Sequence, residues 1–194
     1  QLSILRPRKK ELLEFTVIRD KIPTFAMDVA YMIDDKIGYI KLNRFSATSY
    51  DEFKEGLDKL EKEGMKNLIL DLRDNPGGYL DKAVKIADEF LSGEKMIVYT
   101  KSKNGRYDDE LKSSRKGDFE KGALIVLINE GSASASEIVS GALQDHDRAL
   151  IVGRRSFGKG LVQQPIPLTN KGELRLTVSR YYIPSGRSIQ KPYE

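Results

Sequence analysis

The sequence predicts an α/β fold built round a parallel sheet. Three observations point to it. "LILDL" at Leu68–Leu72 and "ALIVLI" at Ala123–Ile128 are short, continuous apolar runs of the kind that forms buried parallel strands. Each is followed by a polar loop and then by a segment with helical periodicity. The recurrence of strand, loop and helix in mid-chain argues for parallel pairing through right-handed crossovers.

The elements follow in order. Residues 2–19 read as two strands joined by the basic turn "RPRKK", with Leu13, Phe15 and Val17 alternating with Glu14 and Thr16. "DKIP" breaks the chain at Pro23. Val29–Ile33 and Ile37–Leu42 form a hairpin across "DDK". Thr48–Glu63 is a helix, with Phe53, Leu57 and Leu60 on one face, a Ser49/Glu52 capping box and Gly64 at its stop. Tyr79–Leu91 is a second helix, with Ala83, Ala87 and Phe90 on one face and Gly93 just past its end. Met96–Thr100 is a strand, and the polar residues 101–121 read as a surface loop. Ala149–Val152 is short and apolar. Leu161–Leu168 and Glu173–Ile183 form a hairpin turned at "NKG", before a polar tail.

Composition narrows the function. The 194 residues suffice for one full core, and 39% hydrophobic with 32% charged residues is ordinary for a globular protein. No apolar run approaches the roughly 20 residues of a membrane span. Gln1 begins in strand-like sequence with no leader pattern, so the chain reads as a cut piece. The net charge of +4 comes from 33 basic and 29 acidic residues, interspersed, and no nucleic-acid partner is expected. The absence of cysteine removes disulfides, thiolate metal sites and cysteine nucleophiles. With His146 the single histidine, a multi-histidine metal site is impossible. No cofactor or metal is expected.

Two loops lie where α/β folds place their sites, past the carboxyl ends of strands. They are "RDNPGG" after "LILDL" and "NEGSASAS" after "ALIVLI". The serines admit a plain reading. Ser134 and Glu137 make a capping box, and Ala135, Ile138, Val139, Ala142 and Leu143 supply a helix interior. "NPGG" is likewise a plain turn. Yet a serine between a buried strand and a helix is lifted over the sheet end, as in a nucleophile elbow, although G-x-S-x-G is absent. A helix N-terminus also offers free amides to an oxyanion, and adjacent glycines let backbone approach a substrate carbonyl.

Such a nucleophile needs a base. His146 lies twelve residues after Ser134, roughly 18 Å along a helix axis. Between Asp145 and Asp147 it reads as a solvated, ordinary histidine. A lysine serves if burial disfavours its charged form. Lys159, bracketed by Gly158 and Gly160 and leading into an apolar strand, is positioned to point inward.

Together these motifs resemble the C-terminal processing (tail-specific) serine proteases of bacterial envelopes and thylakoid lumens. "LDLRDNPGGYL", "GSASASEIVSGALQD", "GRRSFGKGLVQ" and "RYYIPSGRSIQ" carry the resemblance, in order and spacing, from about Ile22 to the terminus. It implies a ClpP/crotonase-like core with flanking β-hairpins over residues 22–194. Residues 1–21 then resemble the final strands of a PDZ domain and its hinge. By the same resemblance Ser134 is the nucleophile, Lys159 the general base and Gln163 the residue that orients the lysine, with Glu137 in support. The oxyanion hole uses the amides of Ala135 and of Gly77 or Gly78, with Gly78 favoured. The resemblance implies protein or peptide substrates with apolar C-terminal tails and an extracytoplasmic place. Membrane association through an upstream segment and homo-oligomerisation are compatible with it. Two other classes compete. A catalytically silent peptide-binding or scaffold relative is disfavoured by the intact Ser–Lys pair. Acyl-CoA chemistry on the related architecture gives that pair no joint role.

Overall fold

A computed structural model describes residues 1–20, 24–114, 116–169 and 171–192. The boundary expected at residues 21–22 and the break at Pro23 lie outside the described residues, as does Asn170 of the expected turn. No described helix is long and apolar enough to cross a membrane.

Two short strands, β1 (Leu2–Ile4) and β2 (Leu13–Phe15), pair antiparallel across the basic turn. The central sheet follows. Its strands are β3 (Met27–Met32), β4 (Ile37–Leu42), β5 (Asn67–Asp71), β8 (Ala123–Ile128) and β9 (Leu150–Gly153), in that spatial order. β3 is antiparallel to β4, and the other pairs are parallel. Among the described residues, three helices complete the core: α1 (Ser49–Lys62), α2 (Leu80–Asp88) and α3 (Ala135–Asp145). A second, antiparallel sheet runs β10 (Leu161–Pro167), β11 (Glu173–Tyr182), β6 (Met96–Lys101) and β7 (Asp109–Lys112).

The alternation of strand residues decides where the core sits. Ile40 and Leu42 of β4, Leu68 and Leu70 of β5, and Leu124 and Val126 of β8 point to one face. There they join Phe53, Leu57 and Leu60 of α1, Ala83, Ile86 and Ala87 of α2, and Ile138, Val139, Ala142 and Leu143 of α3. Phe90 meets Phe53 and Phe119 edge-on, at 5.8 and 6.3 Å between ring centroids. The other face is less covered: Val29, Tyr31 and Ile33 are exposed there, as are Leu150 and Val152. "LILDL" and "ALIVLI" are therefore fully buried on one side, while Ile69, Ile125 and Leu127 on the other are half-buried, less covered than continuous apolar runs suggest.

Three other expectations fail locally. Residues 101–121 contain β7, whose "DELK" has no apolar pattern and is held by backbone pairing to β6. Ser49 does not cap α1. Thr48 is the N-cap residue, Ser49 is buried and donates to the Ser46 carbonyl, and Glu52 reaches outward to accept from the Ala26 and Met27 amides. The lone histidine is half-buried at the end of α3, with Nε2 2.7 Å from the Met96 carbonyl, so it is a packing residue.

Asp71, at the carboxyl end of β5, is fully buried. It accepts from the Tyr39 hydroxyl at 2.6 Å and from Arg73 Nη2 at 2.6 Å. Burial opposes its charge, but the hydrogen bonds from Arg73 and Tyr39 outweigh burial and hold the carboxyl below its ordinary range. Burial, reinforced by Asp71, pushes the Tyr39 phenol up to about 12. The stability carried by a depressed carboxyl is complete above its unfolded value and is lost as pH falls through the folded value. Asp71→Asn is expected to cost about 1–3 kcal/mol at pH 7 and to flatten the acid side of the stability curve. Urea unfolding at pH 7 and pH 3 measures both; equal pH dependence in the two proteins contradicts it.

Candidate active site

Because β4, β5 and β8 are parallel, their carboxyl ends share one edge of the sheet, and the loops after them converge there. The loop after β5 lies against the one after β4: the Phe45 amide donates to the Gly77 carbonyl at 3.0 Å and the Tyr79 amide to the Phe45 carbonyl at 2.7 Å. Glycine is obligatory at this approach. Gly78 has φ +146°, and a Cβ there lies 2.0 Å from the Phe45 oxygen. At Gly77, with φ +93°, a Cβ lies 2.6 Å from the Ala133 oxygen. The two glycines thus bring backbone against the loop after β8.

That loop carries the serines. The Ser132 hydroxyl is buried and donates to the Leu72 carbonyl at 2.7 Å. The Ser136 hydroxyl donates to the Asn75 carbonyl at 2.9 Å, and that of Ser140 to the Ser136 carbonyl at 2.9 Å. These three hydroxyls stitch the loops and α3 together. Ser134 differs. Its hydroxyl donates to no acceptor among the described residues and faces an open cleft. Its backbone has φ 55° and ψ −111°, outside the regions an L-residue prefers. Such strain costs about 1–3 kcal/mol and persists only where neighbours impose it. Here the Ala133 amide is held by the Asn75 carbonyl at 3.0 Å on one side, and α3 starts on the other.

The loop after β9 closes the site. The Phe157 amide donates to the Ser132 carbonyl at 3.0 Å. Glu137, only 6% exposed, gathers three amides with one carboxylate: Ser134 at 2.8 Å, Gly158 at 2.6 Å and Lys159 at 2.9 Å. Its bond to the Ser134 amide is the return half of the expected capping box. Its other two bonds tie in the lysine loop, which local sequence does not reveal.

A cleft of about 520 Å³ results, lined by Ser134, Lys159, Gln163 and Gly78, with Phe45, Tyr79, Leu161, Val162 and Tyr181 as its apolar walls. The Ala135 amide, first in α3, and the Gly78 amide donate to nothing among the described residues, whereas the Gly77 amide is engaged by Asn75 Oδ1 at 2.9 Å. Lys159 is exposed, and β10 after it is largely exposed too, so it does not lead into a buried strand as its apolar start suggested. Gln163 stands at a bulge in β10. Among the described residues no hydrogen bond joins Lys159 to Ser134 or to Gln163. The cleft therefore assembles a strained serine, a lysine and the unengaged Gly78 amide in an open site, with the unengaged Ala135 amide adjoining Ser134. Asn75, which organises this loop, lacked a signal of its own beyond standing before "PGG".

Comparison with known proteins sets these residues in context. Residues 36–193 match the family model described as peptidase family S41. The chain is 44% identical over 196 residues to a carboxy-terminal-processing protease of Bartonella bacilliformis, covering 97% of this chain and 44% of the relative. It is 40% identical over 195 residues to a carboxyl-terminal-processing protease of Synechocystis, covering 98% and 44%. Among solved structures it resembles the photosystem II D1 C-terminal processing protease, with TM-score 0.75 and 33% identity over 79% of this chain and 39% of that one. The chain spans less than half the length of each.

Proposed function

The chain belongs to peptidase family S41, and from that premise we propose that it is a serine endopeptidase cleaving proteins near their C-termini through a Ser134–Lys159 dyad. The observation that carries the reading is one cleft holding Ser134 in a strained turn, Lys159 and Gly78, with the unengaged amide of Ala135 following Ser134 at the start of α3. The Ser134 hydroxyl attacks the scissile carbonyl while neutral Lys159 takes its proton. The Ala135 and Gly78 amides receive the developing oxyanion. Lys159 then protonates the leaving amine, and water, deprotonated by the same lysine, releases the acyl group from Ser134. A lysine base needs its ammonium desolvated. Lys159 is exposed, so the bound substrate chain supplies that cover.

The same reading assigns residues 1–21 to the end of a PDZ domain that captures substrate tails, in an extracytoplasmic protein whose substrates end in apolar residues. Apolar walls such as Leu161, Val162 and Tyr181 suit such chains. Membrane attachment through an upstream segment and self-association belong to the same proposal.

The test is labelling by a fluorophosphonate. The expected result is modification of Ser134 in the native chain and none in Ser134→Ala, with Ser132→Ala and His146→Ala labelled as the native chain is. A folded protein that never labels supports the silent scaffold alternative instead. Gln163→Ala is expected to lower kcat about tenfold with KM nearly unchanged, because a residue that orients the base acts in the transition state. Steady-state kinetics decide: weakened KM at unchanged kcat reassigns Gln163 to substrate contact.

A further inference from the structure

We infer that Asn75 is a positioning residue that selects which glycine amide serves the oxyanion. Its consequence for catalysis rests on the function proposed above; its geometry does not. Asn75 is fully buried in the loop between β5 and α2. Every polar group it owns is committed. Its amide donates to the Leu72 carbonyl at 3.3 Å, and its carbonyl accepts from the Ala133 amide at 3.0 Å and the Ser136 hydroxyl at 2.9 Å. Its side-chain Nδ2 donates to the Leu42 carbonyl at 2.8 Å, and Oδ1 accepts from the Gly77 amide at 2.9 Å.

One residue thereby joins the ends of β4 and β5 to the turn that strains Ser134. It also sorts the two glycines. Taking the Gly77 amide into its own side chain removes that group from the cleft. The Gly77 carbonyl is taken by the Phe45 amide. In a planar trans peptide the C=O and the following N–H point opposite ways, so the Gly78 amide is turned away from Phe45. Gly78 lines the cleft that holds Ser134. Asn75 thus fixes a single donor from this loop to join Ala135, and it spends no enthalpy of rearrangement when the oxyanion forms.

The experiment has two readouts in this 194-residue chain. Amide hydrogen exchange followed by NMR is expected to show Gly77 protected and Gly78 exchanging at least tenfold faster. Asn75→Ala is expected to bring Gly77 to the rate of Gly78. A peptide boronic acid, which forms a tetrahedral adduct on serine, is expected to bind Asn75→Ala about 100-fold more weakly. The matching peptide amide, which forms no adduct, binds both proteins within threefold. Asn75→Asp keeps the acceptor for Gly77 but loses the donor to the Leu42 carbonyl and sets a buried carboxylate oxygen against it; it is expected to keep Gly77 protected at a cost in stability. If Asn75→Ala does not fold, the exchange rates of Gly77 and Gly78 in the native chain decide the assignment. Unprotected Gly77 in the native chain, or full boronate affinity in Asn75→Ala, overturns the assignment. A native chain that forms no boronate adduct counts against the proposed function, while the exchange pattern still decides the role of Asn75.

Discussion

Lys159→Arg is expected to lower kcat about 10⁴-fold or more without unfolding the protein. Arginine keeps the positive charge and the length of the side chain, but it stays protonated at any working pH and cannot accept the Ser134 proton. The site tolerates the exchange sterically, because Lys159 is exposed and is anchored through its backbone amide, which Glu137 still receives. Stability is therefore expected within about 0.5 kcal/mol of the native chain. Ser134→Ala should reach the same floor, and the double variant should fall no further, since both residues act in one step. Turnover of a peptide substrate, with urea unfolding alongside, measures this in a version of the chain that is active. An arginine variant with near-native kcat would remove Lys159 from the chemistry.

Glu137→Ala is the change expected to damage both structure and reactivity. One buried carboxylate holds the amides of Ser134, Gly158 and Lys159, and so couples two loops separated by twenty-odd residues. Its removal leaves three partly buried donors without acceptors. The expected loss is about 3 kcal/mol of stability and about 100-fold or more in fluorophosphonate reactivity, because nucleophile and base no longer share a fixed geometry. Glu137→Gln retains one oxygen and should fall between. Two of the three amides use Oε2 and one uses Oε1, so the amide can satisfy the Ser134–Lys159 pair while presenting its NH₂ to Gly158. A Glu137→Ala protein with native stability and labelling would show that the loops hold each other by other means.

How far the sequence reached depended on the range of the interaction involved. β5, β8 and the three helices were legible because their signals are local: apolar runs bounded by loops, and apolar residues repeating over a helical turn. β7 was not, since its residues carry no apolar alternation and its place comes from pairing with β6. The Ser49/Glu52 box was misread because the pattern fits a capping box, yet the nearby Ala26 and Met27 amides compete for the Glu52 carboxylate. The box at Ser134 and Glu137 was legible, but only as half of what Glu137 does.

By itself, the sequence determined the α/β class and the two strand-end loops that meet at the cleft, while the roles of Ser134 and Lys159 came only from the resemblance. The class and the loops follow from spacing within a few residues, where backbone geometry fixes what can meet. The tertiary structure alone decided that Ser132, Ser136 and Ser140 are spent in hydrogen bonds while Ser134 faces a cleft. It also decided that Gly77 is occupied and Gly78 free, and that the lysine loop reaches Ser134 through Glu137. The physical reason is that a hydroxyl or an amide has no role until its partners are assigned. Those partners come from strands and loops brought together by sheet register, over separations that no local pattern records.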